Sequence, residues 1–95
     1  MLTSEVFRKR FADTVGELRK CKSGNERIIL RVATATLKAN GMLVTNPGQD
    51  EKNELVVLAL RCSGISAGEG GLSTYELLVE EAWGYYQAHQ NTTSV

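Results

Sequence analysis

The chain of 95 residues is long enough for one domain, with a correspondingly small core. Its 42% hydrophobic and 23% charged residues are typical of globular proteins and exclude a disordered or collagen-like chain. No apolar run approaches the roughly 20 residues of a transmembrane helix, and no signal-peptide pattern opens the sequence. We therefore expect one soluble, cytoplasmic domain over residues 1–95, without a membrane partner.

The eleven basic and eleven acidic residues cancel, but they are unevenly distributed. Residues 1–40 hold nine basic and four acidic residues, a net charge of +5. Residues 41–95 hold two basic and seven acidic residues, a net charge of −5. This polarity is compatible with oppositely charged helices that attract within one fold, with an anionic partner, or with head-to-tail self-association.

Metal, cofactor and disulfide chemistry have few residues available. Cys21 and Cys62 are the only cysteines and His89 is the only histidine, so they cannot supply the four ligands of a structural zinc site. We expect both thiols to be reduced, as in cytosolic proteins. No serine or cysteine has a histidine close by in the sequence. The sequence therefore predicts no metal, no cofactor, no catalytic residues and no enzymatic activity.

The first predicted element is an amphipathic helix over about residues 3–21. Its apolar residues recur every three or four positions and fall within about 80° of one another on the helix surface. Thr3 or Ser4 is placed to accept hydrogen bonds from the first free amides.

The second predicted element is a helix with clear signals at both ends. Ser23 and Glu26 have the spacing of a capping box, and Asn40-Gly41 supplies the left-handed residue that often ends a helix. The apolar residues between them cover an arc of nearly 200° (about half of the helix surface). We therefore expect this helix to be largely buried at the centre of the fold.

The stretch 42–62 has two interpretations. Apolar residues 42–45, the Asn-Pro-Gly turn at 46–48 and the apolar run 55–60 favour a β-hairpin. A helix from about residue 50 to residue 64 is the alternative, because acidic residues suit its first turn. The run 55–60 is apolar on both faces, so it is expected to be buried in either case.

A glycine-rich segment and a final helix complete the chain. Residues 63–72 have the composition of a flexible loop, and a capping box from Ser73 to Glu76 begins a helix that reaches about His89. Residues 90–95 are predicted to be a frayed tail. The fold class that follows is α+β, a single small domain of order α-α-β-β-α with a β-hairpin. The alternative is an all-α four-helix domain.

Two surfaces of the predicted fold are candidates for binding. Trp83 and Tyr85 flank the inner stripe of the last helix and suit a protein interface, where large aromatic side chains dominate the binding energy. Arg27, Arg31 and Lys38 lie on the polar side of the second helix, where they suit an anion or the phosphates of a nucleic acid.

These features favour a small intracellular interaction or regulatory protein, such as a phage or mobile-element accessory protein, that acts by protein–protein binding. We expect a homodimer, because pairing of residues 55–60 between two copies would cover a strand edge. One alternative is a winged-helix-like nucleic-acid-binding protein, with the hairpin as its wing. A second is a small enzyme that binds phosphate on the glycine-rich loop, although the loop matches neither the GxGxxG nor the P-loop pattern.

Overall fold

The computed structural model describes residues 2–43, 53–65 and 71–93. These residues form four helices: α1 (Ser4–Lys20), α2 (Glu26–Ala39), α3 (Glu54–Gly64) and α4 (Gly71–Thr93). The described part of the chain contains no strand. None of its helices has both the length and the apolar character needed to cross a membrane.

The prediction of an α+β fold with a β-hairpin is wrong, and the described residues have the all-helical architecture of the alternative. Residues 55–60, predicted as the second strand, lie inside α3. Asn53 is the N-cap of this helix, and its side-chain oxygen accepts a hydrogen bond from the Leu55 amide at 2.9 Å. A short run that is apolar on all sides fits an enclosed helix as well as a buried strand. The predicted turn at 46–48 lies outside the described residues.

The first two helices begin at side-chain caps, one of them two residues later than predicted. Thr3 caps α1 by accepting a hydrogen bond from the Val6 amide. Asn25, and not Ser23, caps α2, and its side chain accepts from the Arg27 amide at 2.9 Å. The Ser23 hydroxyl instead accepts from the Asn25 amide. Each cap satisfies a backbone donor that has no partner within its helix.

The C-terminal end of α2 has the predicted left-handed glycine. Gly41 has a φ of 68°, and its amide donates to the Lys38 carbonyl at 3.0 Å. The Met42 amide donates to the Leu37 carbonyl at 2.9 Å. These two hydrogen bonds form a Schellman motif, which requires a positive φ that glycine adopts without strain. Met42 is fully buried directly after this turn.

Helices α1 and α3 form the middle of the domain, and α2 and α4 flank them. Each flanking helix contacts both middle helices, whereas α2 and α4 do not contact each other within the described residues. Thus α2 and α4 lie on opposite sides. The core contains the following large, fully buried apolar side chains: Phe7, Phe11, Val15, Leu37, Met42, Leu55, Val56 and Leu58.

The prediction that α2 occupies the centre of the fold is wrong. Only Ala33, Thr34 and Leu37 of α2 are buried, whereas α3 is buried against the other three helices. The apolar arc of α2 is as wide as the sequence suggests, but part of it faces outward. A helical pattern gives the direction of each side chain and not the presence of a neighbour.

Polar side chains of α1 fasten it to the C-terminal end of α2. The Arg10 guanidinium donates to the Asn40 carbonyl at 2.7 Å, where it satisfies a free carbonyl at the negative end of the helix dipole. The Thr14 hydroxyl is fully buried, accepts from the Asn40 side-chain amide at 2.9 Å and donates to the Arg10 carbonyl.

Two further arginines of α1 are used within the fold. Arg19 donates to the carbonyls of Cys62 and Ile65 at 3.3 and 3.0 Å, and so caps the C-terminal end of α3. Arg8 forms an ion pair with Glu80 of α4. The excess positive charge of α1 is therefore partly balanced by helix ends and a carboxylate of the same domain.

Candidate interaction surface

A largely exposed apolar stripe runs along the outward side of α2. Ile28, Val32, Ala35 and Ala39 are separated by four, three and four positions, the spacing of a coiled-coil seam. Ile28 is 45% exposed, Val32 is half-buried, and both alanines are exposed. In a helical domain such residues normally pack against a neighbouring helix, but the described helices cover this stripe (the α2 stripe) only at Val32.

The cationic residues predicted from the sequence border the α2 stripe. Arg27, Arg31 and Lys38 are all exposed, on one flank of the helix. In the heptad register set by the stripe, Arg31 and Lys38 occupy the positions that form ion pairs with an opposing helix. The structure records no ion pair or side-chain hydrogen bond for Arg27 or Arg31 among the described residues. These two cations are therefore available to an anionic partner.

An open groove of about 380 Å³ adjoins the N-terminal half of α2. It is lined by Glu26, Ile29 and Leu30 of α2 and by Leu60 and Ser63 of α3. Three of these five side chains are apolar, and all three are only partly covered. The groove extends the apolar surface of α2 toward α3.

The aromatic residues predicted as a partner surface are partly used in the interior. The Trp83 ring lies 5.2 Å from the Phe7 ring and 5.9 Å from the Tyr86 ring, measured between centroids. Tyr85 is half-buried and packs against the same core. These contacts join α1 to α4, so neither aromatic residue stands on an open face. A partner role for Trp83 and Tyr85 stays a prediction.

The Cys62 thiol is unsuited to nucleophilic chemistry in the folded state. Cys21 and Cys62 are not bonded to each other, and Cys62 is fully buried. Burial raises the pKa of the Cys62 thiol to about 11, although Arg19 and Arg61 act in the opposite direction. Burial also raises the pKa of the nearby Tyr75 hydroxyl.

The remaining candidates for ligand chemistry give no assembled site. Among the described residues, no three histidine, cysteine, aspartate or glutamate side chains cluster as metal ligands would. The side chain of His89 and residues 66–70 of the predicted glycine-rich loop lie outside the described part of the chain.

The sequence contains the signal for the α2 stripe, but the direction predicted for Ile28 is wrong. The prediction places Ile28 and Val32 in the buried arc together with Ala33 and Leu37, whereas Ile28 is exposed and Val32 is half-buried. The two alanines that continue the stripe, at positions 35 and 39, are consistent with either an interior or a close interhelical contact. Only the packing of α2 against α1 and α3 shows which side of α2 is buried.

Comparison with known protein families, with curated proteins and with solved structures finds no match for this chain.

Proposed function

We propose that this protein is an interaction module that binds a helix of a partner protein. The binding surface is the α2 stripe together with the cations beside it (the α2 face). The observation that carries the proposal is the exposed α2 stripe, flanked on one side by Arg27, Arg31 and Lys38. Apolar side chains at heptad spacing gain free energy when a second helix removes them from water. The exposed alanines let a partner helix approach closely.

The chemistry of the flank selects the charge of the partner. Cations beside an apolar seam favour glutamate or aspartate at the facing positions of the second helix, and oppose lysine or arginine there. The partner is accordingly an acidic amphipathic helix. The groove beside Ile29 and Leu60 would take a large apolar side chain from the same segment.

The test uses a synthetic helical peptide with a leucine heptad seam flanked by glutamates. Fluorescence anisotropy should detect binding to the wild-type protein that weakens as salt is added. Ile28→Asp should lower the affinity by about tenfold or more, which corresponds to about 1.4 kcal/mol. Val6→Asp is the matched control, because Val6 is a similarly exposed apolar residue on α1 (38% against 45% for Ile28).

Equal affinity for a lysine-flanked peptide, or equal affinity of wild type and Ile28→Asp, would contradict the proposal. The natural partner can then be sought by pull-down from the native host. Only proteins that are captured by wild type and by Val6→Asp, and lost with Ile28→Asp, count as partners of this face.

Nucleic-acid binding is a second candidate function, favoured by the three exposed cations on one flank of α2. Phosphates spaced along a duplex could be contacted from such a flank. The adjacent apolar stripe and the absence of excess positive charge over the whole chain favour a protein partner instead.

The salt dependence of duplex DNA affinity tests this second candidate. If Arg27 and Arg31 each contact a phosphate, Arg27→Ala combined with Arg31→Ala should reduce the slope of log affinity against log salt by about 2. No measurable affinity at a salt concentration of about 50 mM would remove the candidate.

A further inference from the structure

The outward side of α4 is the acidic counterpart of the α2 face. Leu77 is 66% exposed, and Gly84 and Ala88, which follow it by seven and eleven positions, lie on the same side of the helix and are exposed. Glu81 is exposed on the same line, four positions after Leu77, and Glu76 is exposed to one side of it. The residues Leu77, Gly84 and Ala88 with these two glutamates form the α4 face.

The described residues leave space beside Gly84. An ideal Cβ at this position would meet no atom of another described helix within 4 Å. A shallow depression between α1 and α4 is lined by Leu77, Glu76 and Glu80, together with Arg8 and Ser73. A helix laid along α4 would therefore meet one large apolar side chain, a close-approach position and carboxylates.

The two faces carry opposite charges and have a similar order of large and small residues along the helix. The α2 stripe pairs large residues near its start with alanines near its end, and Arg27 and Arg31 flank the large residues. The α4 face likewise has its large residue, Leu77, ahead of its small ones, with Glu76 and Glu81 beside it. Opposite charges placed beside apolar contacts set the orientation of paired helices.

We propose that the α4 face of one copy binds the α2 face of a second copy, so that the protein associates head to tail. This inference rests on the proposed function, because it names an occupant of the same α2 face. It does not depend on strand pairing between copies, which residues 55–60 cannot provide because they lie in α3.

The position of the two faces fixes the kind of assembly. Helices α2 and α4 lie on opposite sides of the α1–α3 pair and do not contact each other. When one copy uses its α2 face and its neighbour uses the α4 face, each end of the pair keeps one unused face. The assembly therefore grows with concentration beyond two chains and is weakened by salt.

Two charge-reversed variants test the proposal by sedimentation equilibrium. Arg27→Glu with Arg31→Glu disables the α2 face, and Glu76→Lys with Glu81→Lys disables the α4 face. Each variant alone should remain a monomer at concentrations where wild type associates. Mixed together, they should associate again, because each supplies the face that the other has lost and the two reversed faces carry opposite charges.

A matched control keeps the change in net charge and moves it elsewhere. Lys9→Glu with Lys22→Glu reverses two exposed cations of the first 22 residues and should leave association unchanged. Far-UV circular dichroism and the melting temperature of each variant check that the fold is retained. All reversed positions are exposed, so folded variants are expected.

Three results would overturn the proposal: a wild-type monomer at all concentrations, an assembly that stops at two chains, or a variant mixture that stays monomeric. Failure here is distinguishable from failure of the proposed function. The variant with Glu76→Lys and Glu81→Lys retains the α2 face, so it should still bind the acidic peptide even if copies of the chain do not associate.

Discussion

Two buried threonines illustrate at the residue scale how a hydroxyl can stabilise or destabilise a helical core. The Thr34 hydroxyl is buried and has no hydrogen-bond partner in the described part of the chain, whereas the Thr14 hydroxyl accepts from Asn40 and donates to the Arg10 carbonyl. A buried hydroxyl without a partner loses its hydration and gains nothing in return.

Thr34→Val should therefore raise the free energy of unfolding by about 1 kcal/mol, because valine keeps the shape and removes the unpaired group. Thr14→Val makes the same chemical change where both partners are present, and it should lower the free energy of unfolding by about 1–2 kcal/mol. Urea denaturation of the two variants measures both effects. Equal changes of the same sign would contradict this account.

The buried thiol of Cys62 makes stability depend on alkaline pH. Its pKa is about 11 in the folded state against 9.0 for an unperturbed thiol. Below pH 9 the thiol is protonated in both states. Between about pH 9 and pH 11 the unfolded chain ionises and the folded protein does not, so the free energy of unfolding falls with rising pH.

The decrease due to this thiol should amount to at most about 2–3 kcal/mol, from the linkage relation. Cys62→Ala should be less stable at neutral pH because it leaves a cavity, and its loss of stability over this pH range should be smaller. The raised pKa of Tyr75 adds to the decrease in both proteins. If both proteins lose the same stability across this range, the buried thiol is not its source.

Among the elements, the cap at the beginning of α3 distinguishes a helix from the strand predicted for residues 55–60. Asn53 should contribute through its side-chain oxygen, which accepts from the Leu55 amide. Asn53→Ala should lower the free energy of unfolding by about 1 kcal/mol. Asn53→Asp should keep most of this stabilisation, because a carboxylate accepts the same hydrogen bond and suits the positive end of the helix dipole.

A strand beginning at this position would give a different pattern. Neither variant removes a large packed side chain, and a strand has no free amide for residue 53 to cap. Chemical denaturation that finds the alanine and aspartate variants equally stable would contradict the cap of α3.

The whole molecule is expected to unfold as one unit, because the two middle helices contact both flanking ones. Trp83 is the only tryptophan, and it reports on the contact between α1 and α4 through Phe7. Its fluorescence and the circular dichroism of the helices should have the same denaturation midpoint. A helix signal that is lost before the Trp83 signal would show that α2 unfolds separately.

The distribution of charge is also a property of the whole molecule. Part of the positive charge of the first 40 residues lies on α1 and holds it to the other helices. Arg10 and Arg19 cap the ends of α2 and α3, and Arg8 pairs with Glu80 of α4. Arg27 and Arg31 of α2 make no such contact among the described residues. The sequence predicted the asymmetry, and only the structure separates the charges that fasten helices from those that face solvent.

The sequence by itself determined the local features of this protein. The first helix, the second helix, the left-handed position of Gly41 and the burial of four of the residues 55–60 follow from side-chain spacing and backbone preferences. Val57 is 37% exposed, so the expectation that the whole run is buried is wrong at that position. These are short-range effects that need few long-range contacts.

The tertiary structure decided the rest. Residues 55–60 lie in a helix that packs against the other three, and a run that is apolar on every side does not specify its own period. Ile28 faces outward and Val32 is only half-buried, because α1 and α3 already fill the opposite side of α2. Periodicity fixes the relative direction of side chains along one helix, but burial depends on which other helices pack against it.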